Sequence, residues 1–252
     1  MRSKERRSVL LDALRDGEVD VEALARRFDV SASTVRRDLQ QLSSAKAIRR
    51  TYGGAILAHA APEESLGQRQ AHNGAQKEAI ARAAVALLDE EDVLILDAGS
   101  TVAAFGRLLK GRRHRVVTNN LPLVPILAEA PDIELTILGG ALRATSMSTV
   151  GPLATDAMRQ MTADKLSMSA DGVVADRGLC EASLEQISLK SLMMSQAREV
   201  IVLADATKLS RGDQSFWAGL PSRWTLVTDE RASAEDCDVF AAAGARVIRA
   251  EG

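Results

Sequence analysis

From residue 93 onward the chain repeats one pattern: a short apolar run, a turn of glycine and small polar residues, then a helical segment. Val93-Leu-Ile-Leu-Asp97 runs into Ala98-Gly-Ser-Thr101 and a helix reaching Leu109. Arg115-Val-Val-Thr118 leads into Asn119-Asn120 and a helix with Pro122 near its first turn, and the run 133–138 ends at Gly139-Gly140. Further strands are expected at 165–169, 200–204 and 226–228, with a short edge at 246–249. An alanine-rich helix at 76–88, one introduced by Gly151-Pro152 and a long one over 184–197 lie between them. Short strands that are apolar throughout must be buried on both faces, and helices between them do the covering. The pattern predicts an α/β fold built on a mostly parallel sheet.

In such sheets ligands bind beyond the carboxyl ends of the strands. That rule selects Asp97, Gly99, Ser100 and Thr101 from the first strand, and Thr118, Asn119 and Asn120 from the second. Gly139 and Gly140 follow the third, and Asp205 and Lys208 follow the strand near Val200. Glycines let backbone N–H groups approach closely, hydroxyls add donors, a helix N-terminus adds its dipole and Lys208 a full charge. These are the parts of a phosphate cradle without the spacing of a Walker loop. Asp97 and Asn120 are suited to sugar hydroxyls. Each glycine turn alone is ordinary strand-to-helix geometry; the case rests on several polar turns meeting at one edge.

The front of the chain differs in charge. Residues 1–57 carry a net +4 and the remainder −6, within an overall −2. Val9, Leu10, Ala13 and Leu14 recur at helical spacing and Gly17 stops that helix. Asp20 is placed to cap a second helix with Val21, Leu24, Ala25 and Phe28 inward. After a turn at Asp29-Val30, Ser31 caps a third helix with Val35, Leu39 and Leu42 inward, leaving Ser33, Thr34, Arg36, Arg37 and Gln40 outward. Ala47-Ile-Arg-Arg-Thr-Tyr-Gly-Gly-Ala-Ile reads as a strand, a glycine turn and a second strand, carrying Arg49 and Arg50. A short helix presenting Ser, Thr and Arg outward from its N-terminus is what reading a major groove requires, and arginines on a hairpin reach flanking phosphates or the minor groove.

Leu24-Ala-Arg-Arg-Phe-Asp-Val-Ser-Ala-Ser-Thr-Val-Arg-Arg-Asp-Leu, followed by Ile48-Arg-Arg-Thr-Tyr-Gly-Gly-Ala, resembles the winged helix-turn-helix of the DeoR family of bacterial sugar-catabolism regulators. The resemblance continues through Asp97-Ala-Gly-Ser-Thr, Thr118-Asn-Asn, Leu138-Gly-Gly, Gly151, Asp164-Lys165, Gly178, Glu185, Lys190 and Asp205-Ala-Thr-Lys208. It implies a winged helix-turn-helix at 3–58 and a sensor domain at 76–252 whose sheet is similar to ribose-5-phosphate isomerase; between them 59–75, with Pro62, Gly67 and Gly74 and no sustained apolar period, reads as a linker. It further implies double-stranded operator DNA as partner through Ser31, Ser33, Thr34, Arg36, Arg37, Gln40, Arg49 and Arg50. The implied effector is a phosphorylated sugar at the strand-end residues named above, with Glu185 added. Leu209 after the lysine and Leu166-Ser-Met-Ser-Ala depart from the family's more aromatic pattern.

Composition narrows the alternatives. With 46% apolar and 26% charged residues the chain is an ordinary globular one. No apolar run approaches the ~18 residues that span a bilayer. Two cysteines without a CxxC and three scattered histidines offer no disulfide framework and no zinc site, so no metal or cofactor is expected and a cytoplasmic setting is. Aromatics at 3% are too few for a base-stacking platform. Two readings remain: a non-enzymatic transcriptional regulator, expected to be a repressor and a homo-oligomer, or a sugar-phosphate isomerase with an accessory N-terminal domain. Asp164, Asp171 and Glu185 are available carboxylates, but none sits in a catalytic signature.

Overall fold

The computed structural model describes residues 6, 9, 10, 19–44, 48–50, 54–57 and 63–251, with 19–20, 42–44, 48–50 and 54–57 in backbone only. The chain divides into two compact units, 1–62 with 212–214, and 63–211 with 215–252.

In the first unit β1 (Val19–Asp20) leads into α1 (Val21–Phe28) and α2 (Ala32–Ser44), then β2 (Ile48–Arg50) and β3 (Gly54–Leu57). The strands form an antiparallel sheet in the order β1-β3-β2, with Arg49 opposite Ile56 and Val19 opposite Ala55. Two residues are too few to show a period, and β1 escapes the sequence reading, which saw Asp20 only as a cap. Asp29 takes a left-handed φ of 51°, ending α1, and Val30 N–H closes back on Ala25 O at 3.1 Å. Ser31 Oγ accepts from Thr34 N–H at 3.2 Å, capping α2 as its sequence predicts. Leu10, Val21, Leu24, Ala25, Val35 and Leu39 make one core. Asp38, on the same inward face, is paired with Arg6 at 2.6 Å, both nearly buried. Arg6, Val9 and Leu10 are helical; the rest of the expected first helix, Gly17, the turn at 51–53 and residues 58–62 lie outside the described residues.

The second unit is a seven-stranded, wholly parallel sheet flanked by two small antiparallel ones. Its strands are β4 (Val93–Leu96), β5 (His114–Thr118), β6 (Ile133–Ile137), β9 (Ala163–Met168), β12 (Ala197–Leu203), β14 (Trp224–Asp229) and β15 (Ala245–Ala250), in the order β15-β14-β12-β9-β4-β5-β6. One face, including Leu94, Leu96, Val116 and Leu203, packs on α4 (Gly74–Val85) and α5 (Ser100–Arg107). The other, including Ile95, Leu166, Val200 and Val202, lies under α7 (Pro152–Arg159), α8 (Leu184–Gln196) and α9 (Ala234–Ala242). The hairpin β7 (Ala141–Arg143) and β8 (Ser148–Val150), the sheet β10 (Gly172–Val174), β11 (Gly178–Glu181) and β13 (Phe216–Ala218), and the one-turn α6 (Val124–Ala128) complete the unit. The chain passes from β4 outward to β5 and β6, then returns to place β9 on the other side of β4. That reversal opens a crevice between the carboxyl ends of β4 and β9.

The expected linker needs correction. Its second half is structured: α3 (Leu66–Ala71) starts from a reciprocal capping box between Ser65 and Gln68, and α4 begins at Gly74. A six-residue helix with Leu66 as its one buried residue has no apolar period to read.

Candidate functional site

Beyond β4 the backbone turns through Gly99, whose φ of 130° is open to glycine, and where an added Cβ would lie 2.3 Å from Ser169 Oγ. The turn delivers Gly99, Ser100 and Thr101 as the N-terminus of α5. Ser169 and Ala170 follow β9. After β12, Asp205 Oδ1 accepts from Thr207 N–H at 3.1 Å, from Thr207 Oγ1 at 2.5 Å and from Asn73 Nδ2 at 3.1 Å, fixing the tight turn that carries Lys208. Together with Glu64, Arg69, His72, Asn73, Lys77 and Arg211 these residues enclose a cavity of about 140 Å3. Arg69, Lys77, Lys208 and Arg211 face two carboxylates, Glu64 and Asp205, so the wall is cationic around a helix N-terminus. Burial pulls the Lys77 ammonium below its ordinary range, Asp205 opposes that, and the charges of Lys208 and Arg69 reinforce it. Lys77 Nζ donates to His72 O at 2.7 Å and to Arg69 O, tying α3 to α4. A wall of this charge around backbone N–H groups has the chemistry of an anion cradle.

A larger cavity, about 740 Å3, opens at the opposite ends of the strands, beside Val93, Ala163 and Ala197. It has no glycine turn, and its Asp164–Arg198 pair at 3.3 Å already neutralises itself. Position and chemistry both favour the smaller site.

The sequence-derived residues separate accordingly. Gly99, Ser100, Thr101, Asp205 and Lys208 line the cradle; the others do not. Thr118 Oγ1 donates to Leu96 O at 2.6 Å, and Asn120 Nδ2 donates to Asp97 O at 3.1 Å and Gly99 O at 3.2 Å, so this turn buttresses the glycine turn from behind. Asn119 Nδ2 donates to Thr149 O at 3.1 Å. Gly140 (φ 134°), next to Gly139, allows close approach to Val150 O, and Glu185 is exposed on the first turn of α8. Asp97 is 2% exposed and ion-paired beneath the cradle, out of reach of a sugar hydroxyl.

In the first unit Ser31, Ser33, Arg36, Arg37 and Gln40 are exposed and Thr34 half-buried along one side of α2, opposite Val35 and Leu39. Ser31 Oγ lies 2.8 Å from Ser33 Oγ and 2.9 Å from Thr34 Oγ1, and Arg36 reaches Glu22 at 3.2 Å, an exposed pair of little energetic weight. Arg49 and Arg50 lie on β2.

Residues 6–61 match the DeoR-like helix-turn-helix domain and residues 72–230 the DeoR C terminal sensor domain. The chain belongs to the DeoR family. It is 32% identical to the transcriptional repressor AccR of Agrobacterium fabrum over 90% of each chain. It is also 32% identical to the repressor GlcR of Bacillus subtilis over all of this chain and 98% of that one. The lactose phosphotransferase system repressor of Lactococcus lactis is 30% identical, over 95% and 96%. Among solved structures the chain is similar to ribose 5-phosphate isomerase A of Methanocaldococcus jannaschii, at 20% identity and a TM-score of 0.41 over 55% and 56% of the two chains. This DeoR-family chain is a DNA-binding transcriptional regulator, and no helix among the described residues is long and apolar enough to cross a membrane.

Beneath the cradle of this DeoR sensor domain lies a buried charge cluster that sequence reasoning missed. Lys190 Nζ binds Asp97 Oδ2, Ser169 O at 2.6 Å and Glu181 Oε1 at 3.2 Å. Burial alone would lower the Lys190 pKa, but the Asp97 and Glu181 carboxylates more than offset it and raise it. Burial pushes Glu181 up to about 8; Lys190 pulls it back, while Asp171 and Asp97 push it further. Lys190 was visible as a family position, yet nothing local to α8 signals a partner 93 residues away. Arg69 and Lys77 escaped for another reason: they stand in and just after the segment read as linker.

Proposed function

We propose that this regulator is a repressor of a carbohydrate-metabolism operon, released from its operator when a phosphorylated sugar enters the cradle of the sensor domain. The observation that carries this reading is four Lys/Arg side chains around the N-terminus of α5 at the carboxyl ends of β4, β9 and β12. Phosphate is the ligand group that such an edge suits. A volume of about 140 Å3, below the roughly 300–1,000 Å3 of whole-ligand pockets, fits the phosphate end of a sugar better than the whole molecule. The names of the relatives support the repressor role and the link to sugar operons. The isomerase reading is disfavoured. Enediol chemistry needs a base at the reacting carbons, and Asp97, Asp171, Glu181 and Lys190 are all at most 4% exposed. Helix-turn-helix readers bind two half-sites about one helical turn apart, which argues for at least a dimer in a cytoplasmic setting.

Lys208→Ala is expected to weaken the effector by about 1.5 kcal/mol, the low end for a charged hydrogen bond, because Arg69, Lys77 and Arg211 share the load. Operator affinity without effector should stay unchanged. Titrating operator release with the cognate sugar phosphate checks this; superimposed curves for variant and wild type would remove Lys208 from the site. Release by the unphosphorylated sugar at equal concentration would remove the phosphate cradle.

The exposed arginines of α2 carry the second expectation. Arg36→Ala or Arg37→Ala should weaken specific operator binding by about 1–3 kcal/mol where the residue meets a base, and relax discrimination at that base pair. Gel shifts against operator and scrambled DNA measure it. Wild-type affinity from both variants would unseat α2 as the reading helix.

A further inference from the structure

Residues 63–73 form one wall of the cradle and are held by charge, with little core packing. Leu66 is the only residue of α3 that is buried. Glu63 grips Arg143 of β7 with both oxygens, through Nη1 at 2.8 Å and through Nη2. Leu66 N–H donates to Thr145 O at 2.8 Å, and Arg69 Nη2 reaches the same oxygen at 3.5 Å.

Arg69 stands out within this wall. Its side chain is 13% exposed, yet its carboxylate neighbours are 3.8 Å (Glu63) and 3.7 Å (Asp171) away, beyond good hydrogen-bond length. Among the described residues its Nε and the buried Asp171 Oδ2 have no hydrogen-bond partner. A desolvated guanidinium with unspent donors, at the edge of an empty-sided cationic cavity, lacks the planar acceptor its fork fits. The other walls are the first turns of α4 and α5 and the segments that follow β9 and β12, out to Arg211; residues 63–73 commit a single buried side chain, Leu66, to the core.

We propose that residues 63–73 are a strap that phosphate locks: Arg69 exchanges its loose contacts with Glu63 and Asp171 for a phosphate held at Gly99, Ser100, Thr101 and Lys208. The inference rests on the cradle reading given above. The ligand class is an anion with at least two coplanar oxygens, a phosphate monoester or inorganic phosphate, which a fork can clasp and a single ammonium cannot. Residues 58–62 alone separate the strap from the end of β3. Fixing the strap therefore fixes the point at which the chain enters the sensor, and this is how the ligand distinguishes two states of the regulator.

The test is amide hydrogen exchange on the full chain, with inorganic phosphate as the probe. In wild type, phosphate should slow exchange at 64–73 at least five-fold, together with protection at 99–101. In Arg69→Gln, phosphate should still protect 99–101 at higher concentration, while 64–73 stops responding. Arg69→Lys keeps the charge and loses the fork, so it should restore binding but not strap protection. Tryptophan-monitored melting of each variant checks its folding. Protection confined to 99–101 and 205–208 in wild type, or an Arg69→Gln strap that responds as wild type does, overturns the strap while leaving the cradle. Protection at neither edge overturns the cradle and the strap with it.

Discussion

Lys190→Met is expected to destabilise the sensor domain by about 3–5 kcal/mol, the cost of leaving buried charge without its partner. Lys190 is 2% exposed, as is Asp97, and Glu181 is 3% exposed, so water cannot replace the lost ammonium. Both tryptophans of the chain, Trp217 and Trp224, lie in the sensor unit, on β13 and β14. Fluorescence-monitored urea unfolding of the full chain therefore reports this domain and not the winged helix. The loss should shrink in the double variant Asp97→Asn with Lys190→Met, because the second change removes the orphaned carboxylate. A single-variant loss below about 1 kcal/mol would mean that the cluster is solvated and the pairing marginal.

The cluster also marks where sequence stops informing. The alternation of short apolar runs with helices was legible because it is local: each of the expected strands at 93, 115, 133, 165, 200, 226 and 246 is present within a few residues. The turns at 99–101 and 205–208 were legible for the same reason, since in a parallel sheet a strand's end fixes the edge its turn occupies. Thr118, Asn119 and Asn120 reached that edge too. Whether a polar side chain there faces the crevice or props the neighbouring turn depends on a hydrogen bond to β4, which no spacing reveals. Asp97 met the same fate through Lys190. Arg69 was hidden because α3 is too short and too polar to register as an element, while Lys77 stands in the first turn of a helix whose period shows but whose neighbours across the fold do not. In the winged helix, the outward face of α2 was plain from its period, but the Arg6–Asp38 pair across 32 residues was not. Local pattern places backbone; long-range charge pairing decides which of the polar groups so placed remain available to a ligand.

Glu181 turns that pairing into a pH dependence. Its carboxyl titrates at about 8 in the fold against an ordinary 4.5. Between those values the folded chain holds a proton that the unfolded chain has released, so stability falls as pH rises through that window. At about 1.4 kcal/mol per unit the full effect is on the order of 5 kcal/mol, complete only above pH 8. The groups facing Glu181 explain the direction. Lys190 opposes the shift, but it is already committed to Asp97, and Asp171 and Asp97 add negative charge beside a carboxyl sealed from water. His114, buried at the start of β5 and lowered by that burial, acts in the opposite sense and costs stability only below its ordinary 6.5. Glu181→Gln keeps the shape and removes the titration. Its unfolding free energy should be nearly level from pH 6.5 to 9 where wild type declines, and should exceed that of wild type at pH 9. Parallel declines in the two proteins across that range would place the buried proton elsewhere and leave Glu181 ionised against Lys190.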